Sequence, residues 1–152
     1  MTTVTPATGN LYLVVGYDGS PPACRALDAA AALLSGRTGS IEVVYVAHLT
    51  TAEMMSADAI AEMEVSFEDV ERELRAQAAE QLRGHEDRWE FRHGQGMITE
   101  VLVKAAGELR EAHPGDSVVI VVGSSSQAMH RMVGSVAVSL ARHAPVPLVI
   151  VP

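Results

Sequence analysis

Val118-Val119-Ile120-Val121-Val122-Gly123-Ser124-Ser125-Ser126 is the stretch from which the fold can be read. Five successive β-branched residues make a run too short and too uniformly apolar for an amphipathic helix. Such a run reads as a strand buried on both faces, the kind found inside a parallel sheet. Gly123 ends it where a side chain would crowd anything lying over the sheet edge. Ser124 to Ser126 add hydroxyls and backbone N–H groups, and Gly134-Ser135 opens a further helical pattern. A helix N-terminus exposes unpaired N–H groups and a partial positive charge, which suits an anion. The stretch therefore predicts a polar, anion-accepting cradle at the carboxyl end of a central strand.

Working outward, Leu11 to Val15 is a first buried strand, closed by Gly16 and followed by the turn Tyr17-Asp18-Gly19-Ser20. Ser20 stands at an N-cap position and Pro21 at the first helical position, where its missing N–H costs nothing. Ala23, Leu27, Ala30, Ala31 and Leu34 share one helical face, and Gly36 is a left-handed stop. Ile41 to Ala47 predicts a second strand, ending at His48. Thr50 to about Asp58 has no period and reads as a loop. Met63, Phe67, Val70, Leu74 and Ala78 then recur at helical spacing until Gly84. Arg88 to Arg92 alternates as a half-exposed edge strand, with Trp89 and Phe91 on one side. Gly94-Gln95-Gly96 is a loop. Ile98, Leu102, Ala105 and Leu109 mark a third helix, stopped at His113-Pro114-Gly115. Val133 to Arg142 is a fourth helix, and Pro147 to Val151 a last strand.

The order β-α-β-α-β-α-β-α-β requires right-handed crossovers, hence a parallel sheet with helices on both faces. In such sheets ligands sit outside the carboxyl ends of the strands, where the strand order reverses. Strands one and four are the natural neighbours there, and their ends carry Asp18 and Gly123.

Composition narrows the function. The 152 residues fit one domain, 11–152, behind a flexible tail at 1–10. The chain is 48% hydrophobic with a mean hydropathy of +0.17, against disorder. A net charge of −8 with no basic cluster argues against nucleic acid as a partner. A small anion is still admissible, because backbone dipoles can attract it locally. Cys24 is the only cysteine, so neither an intrachain disulfide nor a cysteine zinc site can form. No apolar run is long enough to span a membrane. A soluble, cytoplasmic protein is expected.

Candidate residues each carry a second, purely structural reading. Asp18 could bond a ribose or base, or simply build its turn. Ser20 could cap its helix. Ser124 to Ser126 and Gly134-Ser135 could donate to phosphate, or be ordinary loop residues. His130 and Arg131 could lend charge or face solvent, and Cys24 reads as a small packing residue. His48, His85, His93, His113 and His143 lack ligand-like spacing, so no metal site is proposed. No catalytic residues emerge either: there is no nucleophile elbow, no Walker lysine and no paired carboxylates at a strand end. A receiver domain would share the strand pattern, but the third strand ends in His93-Gly94 and the only lysine, Lys104, lies within a helix.

Several segments taken together resemble the universal stress protein family. They are Val14 to Ser20, Val43 to His48, Gly94 to Gly96, Val121 to Ser124, Val133 to Val136 and Arg142 to Val151. The resemblance implies a Rossmann-like α/β fold, a five-stranded parallel sheet of order 3-2-1-4-5, and a homodimer pairing through the last strand, 147–151. Nucleotide-binding members resemble the pattern Gly-x2-Gly-x9-Gly-Ser/Thr. Here Gly123 matches the first position and Gly134-Ser135 the last pair, while Ser126 replaces the second glycine and only seven residues precede Gly134. The resemblance places Asp18 at the adenosine end and Val46 near the adenine. Gly123, Ser124, Ser126, Gly134 and Ser135 fall to the phosphates. The implied ligand is ATP or another adenine nucleotide, with Mg2+ accompanying it, bound as a regulatory signal through an altered phosphate loop. At most slow ATP hydrolysis is expected. The alternative is a nucleotide-free stress adaptor working through its dimer and helix surfaces.

Overall fold

β1 (Leu11–Gly16) shows why the sheet must be covered on both sides. Leu13, Val14 and Val15 are consecutive and all fully buried, although successive side chains point to opposite faces. The computed structural model describes residues 9–47, 56–124 and 134–152. Along it follow α1 (Pro21–Leu34), β2 (Gly39–Val46), α2 (Ala57–Gln81), a 3-10 turn at Glu86–Arg88 and β3 (Trp89–Gly94). Next come α3 (Ile98–Ala112), β4 (Ser117–Gly123), α4 (Ser135–His143) and β5 (Leu148–Val151). The expected tail at 1–10 falls mostly outside the described residues.

The five strands form one sheet of order β3-β2-β1-β4-β5, every neighbouring pair parallel. This is the α/β architecture expected from the sequence. The strand order reverses between β1 and β4, whose residues pair from Leu11↔Ser117 to Val15↔Val121. One core packs Leu13, Val15, Val43 and Val121 beneath α1 and the carboxyl part of α2. The opposite core packs Val14, Val44, Ile120 and Val122 beneath α3 and α4. Small residues make the first contact close: Ala23, Ala26 and Ala30 let α1 lie directly on the sheet.

Several boundaries differ from the sequence expectation, each for a tertiary reason. β2 begins at Gly39 rather than Ile41, because Leu11 pairs with Gly39 in the first rung of the β1–β2 ladder. α2 begins inside the expected loop, since the Ser56 hydroxyl accepts from the Ala59 N–H and caps it. Among its described side chains the buried ones lie in the carboxyl part: Leu74, Ala78 and the following Leu82 are in the core, whereas Val70 is 40% exposed, and Met63 of the expected stripe is outside the described side chains. Arg88 belongs to the 3-10 turn, with its guanidinium donating back to the Gly39 and Arg37 carbonyls. β3 instead runs on to Gly94, which pairs with Val46. An added Cβ at Gly94 would lie 2.5 Å from a Val101 methyl, so a loop glycine of the sequence reading is a packing glycine of the sheet. α4 starts at Ser135; Val133, its expected first residue, lies outside the described residues.

β3 is an edge strand, as its alternation implied, with Trp89 and Phe91 against the first core. Arg92 turns to the other face, where it bridges Glu42 and Glu108. Burial of Glu42 holds its carboxyl above the usual carboxylate range even though Arg92 opposes the shift.

Candidate functional site

The carboxyl ends of β1 and β4 face the first turns of α1, α3 and α4 across a cleft of about 250 Å3. Asp18, Val46, Gly123, Ser124, Gly134 and Ser135 all line it, so six of the seven candidate residues come together. The seventh, Ser126, lies outside the described residues, as do His130 and Arg131.

Asp18 does two things at once. Its Oδ1 accepts from the Ser20 N–H at 2.9 Å, closing the turn, while the residue stays exposed at the cleft wall. Ser20 in turn caps α1, its Oγ accepting from Ala23 N at 3.4 Å. Pro21 follows at the first helical position. The helix therefore starts where the sequence places it, and its start fixes the acidic residue two positions earlier.

At Gly123 the neighbour that a side chain would crowd over the sheet edge is α1. A Cβ there would lie 2.3 Å from the Pro22 carbonyl oxygen and 2.5 Å from its carbon. The missing side chain makes room for α1, not only for a ligand over the sheet edge. Ser124 departs from expectation, because its backbone N–H donates to the Val151 carbonyl at 2.8 Å. That amide extends the β4–β5 ladder, which leaves Ser124 only its hydroxyl as a donor to the cleft.

Gly134 is the N-cap of α4 with φ −60 and ψ 160, a conformation open to any residue. No side chain among the described residues caps this helix. Its first-turn residues Ser135, Val136 and Ala137 border the cleft, and first-turn amides have no partner within their own helix. The dipole and these amides together supply positive potential at a lining whose described residues include no cationic side chain. Asp18 is the only ionised side chain among the described residues of the lining.

Of the apolar wall, the sequence reading singled out only Val46. Val46, Ile98, Leu102, Val122 and Ala137 form it, with Leu102 fully buried in the core and still reaching the cleft. A usable signal did exist: in a β-α unit the first turn of each helix returns near the carboxyl ends of the strands. Ile98 and Leu102 therefore had to lie at the ligand end of the sheet. An apolar wall facing a polar rim suits a flat ring system joined to hydroxyl and anionic groups.

Tyr17, buried next to Asp18, donates its hydroxyl to Gln81 Oε1 at 2.9 Å. Burial raises its phenol above the ordinary value, so it remains a neutral donor. Among the described residues no cluster of His, Cys, Asp or Glu could hold a metal, and no helix is long and apolar enough to cross a membrane.

The same architecture occurs in solved structures. A universal stress protein in complex with cAMP is 23% identical, with a TM-score of 0.62 over 93% of this chain and 97% of that one. A universal stress protein from Archaeoglobus fulgidus in complex with dAMP is 20% identical, with a TM-score of 0.58 over 95% and 98%. A member of the same family from Burkholderia pseudomallei is 24% identical, with a TM-score of 0.65 over 93% and 95%. These likenesses concern the fold. No curated protein matches the chain. The model of the universal stress protein family, however, matches residues 12–152, which takes in all the described strands and helices except the first residue of β1, and all the candidate residues. With the strand order and the position of the cleft already fixed by the structure, that match is decisive: the chain belongs to the universal stress protein family.

Proposed function

We propose that this chain is a cytoplasmic regulatory protein whose cleft binds an adenine nucleotide as a signal. The observation that carries this reading is the convergence of six candidate residues, from four separate segments, on one half-apolar, half-polar cleft at the reversal of strand order. The two nucleotide-bound structures, with cAMP and dAMP, support the ligand class. The base would lie against Val46 and Ile98. Asp18 would accept from the sugar hydroxyls through Oδ2, its Oδ1 being engaged by Ser20. Ser124, Ser135 and the first-turn amides of α4 would hold phosphate, with Gly123 keeping the strand end close. Ser126 is proposed with them as part of the altered loop. ATP remains the fullest form of the ligand. Mg2+ bound mainly by the phosphates would ask little of the protein, and Asp18 is the one carboxylate among the described residues of the lining. Its role there is charge neutralisation.

Calorimetric titration with ATP, AMP and cAMP, with and without Mg2+, tests the reading. At least one should bind tighter than about 1 mM and raise the melting temperature by ligand linkage. Gly134→Asp puts a negative charge at the amino end of α4 and should weaken that binding by roughly tenfold or more. Absence of heat and of any thermal shift with all three nucleotides would overturn it.

A nucleotide-free adaptor is favoured by one different observation. Leu148, Val149, Ile150 and Val151 form a half-exposed apolar edge strand, which is prone to pair with another strand. We propose homodimerisation through residues 147–151, which either function can use. Sedimentation should show about twice the 16.1 kDa protomer mass, and Val149→Lys, checked for its fold by circular dichroism, should halve it. A wild-type monomer at micromolar concentration counts against pairing.

A further inference from the structure

The turn that brings Asp18 to the cleft is gripped from behind by α2. The Tyr17 backbone N–H donates to the Val44 carbonyl at 2.8 Å, so the residue begins as a continuation of the sheet. Its hydroxyl then reaches Gln81, 64 positions away in sequence. The Gln81 amide cannot rotate freely, because its Nε2 donates at 3.0 Å both to the Cys24 carbonyl and to Asp28 Oδ1. Oε1 is thereby aimed at Tyr17. One position past Asp18, Gly19 has φ +77, and a Cβ added there would lie 2.6 Å from a Leu74 methyl and 3.0 Å from Gln77 Oε1. The Cys24 thiol donates to the Gly19 carbonyl at 3.7 Å. Leu74, Gln77 and Gln81 recur at helical spacing and present one face of α2 to this turn.

We propose that Gln81, acting through the Tyr17 hydroxyl, is a positioning residue that sets where the Asp18 carboxylate stands in the cleft. The proposal rests on the adenine-nucleotide reading of that cleft. Gln81 is absent from the cleft lining, and Tyr17, although it borders the cleft, commits its hydroxyl to Gln81 of α2 and lies near the Cys24 thiol of α1. The physical content is restriction. A turn held at Tyr17, at Gly19 and at the start of α1 presents Asp18 in one orientation. A turn held only by its own Asp18–Ser20 hydrogen bond samples several, and the ligand must then select among them.

Tyr17→Phe and Gln81→Ala test this by a double-mutant cycle with Asp18→Ala. Each clamp variant should weaken nucleotide binding about threefold to tenfold in the native background, and less than about twofold once the Asp18 carboxylate is gone. A merely structural contribution would weaken both backgrounds equally, and that result would overturn the proposal. A second readout needs no nucleotide. In the ligand-free protein, NMR exchange should show the Ser20 amide accelerated more than the Val15 and Val121 amides in both clamp variants. Acceleration that is uniform, or missing at Ser20, would overturn the clamp. A native protein that binds no nucleotide would refute the function proposed above, while the exchange result would still decide whether α2 fixes the turn.

Discussion

Gly39→Ala is expected to lower the melting temperature by about 10 °C, a loss on the order of 3 kcal/mol for a chain of this size. Two costs coincide at this residue. Its φ of +133 is one that side-chain-bearing residues rarely adopt, and an added Cβ would stand 1.8 Å from the Leu11 carbonyl oxygen. That oxygen is backbone, so no rotamer change relieves the clash. Relief requires the Leu11↔Gly39 rung to open, and with it the neighbouring hydrogen bond from the Leu11 N–H to the Thr38 carbonyl. Gly36 provides the control. Its φ is +73, yet nothing lies within 4 Å of where a methyl would stand, so Gly36→Ala should cost only the conformational penalty of about 1–2 kcal/mol. Thermal melts of the two variants check the argument, and equal shifts would show that the steric term is absent.

Gly123→Ala should destabilise the fold by about 1–3 kcal/mol and weaken nucleotide binding by more than about tenfold. The Cβ would sit 2.3 Å from the Pro22 carbonyl oxygen, in the first turn of α1. Either β4 or α1 must move, and both border the cleft. Displacing α1 carries Ser20, its cap, and through Ser20 the Asp18 carboxylate. Gly134→Ala is the matched comparison. Its φ of −60 is ordinary, so alanine there should cost less than about 1 kcal/mol. Calorimetric unfolding and nucleotide titration on the same preparations separate the two effects. If Gly123→Ala binds like the native chain, the approach of α1 to β4 does not shape the cleft.

These glycines also mark how far the sequence can be read. The β-α alternation was legible because strands buried on both faces leave long β-branched runs, and Val118 to Val122 is the clearest. The start of α1 was legible because Ser20 and Pro21 act within one turn of themselves. The meeting of Asp18, Val46, Gly123, Ser124, Gly134 and Ser135 followed from topology, since parallel strands put all their carboxyl ends on one side. What escaped depends on partners remote in sequence. Nothing local shows that Gly123 faces Pro22, that Gly94 faces Val101, or that the Ser124 amide is taken by Val151. Leu102 looked like one more member of a core stripe, and it is one, yet it also floors the cleft. The Tyr17–Gln81 hydrogen bond joins a loop to the end of a helix that only the folded chain brings beside it.

The two borders of the sheet are unlike, and that difference limits what the protein can build. β3 carries Glu90 and Arg92 among its residues, and Arg88 stands just ahead of it; charged side chains of this kind discourage a foreign strand. β5 offers only Leu148, Val149, Ile150 and Val151. Two copies meeting there by a two-fold rotation would consume the one receptive border of each and present charged borders outward. Growth by pairing of sheet borders would then stop at the pair.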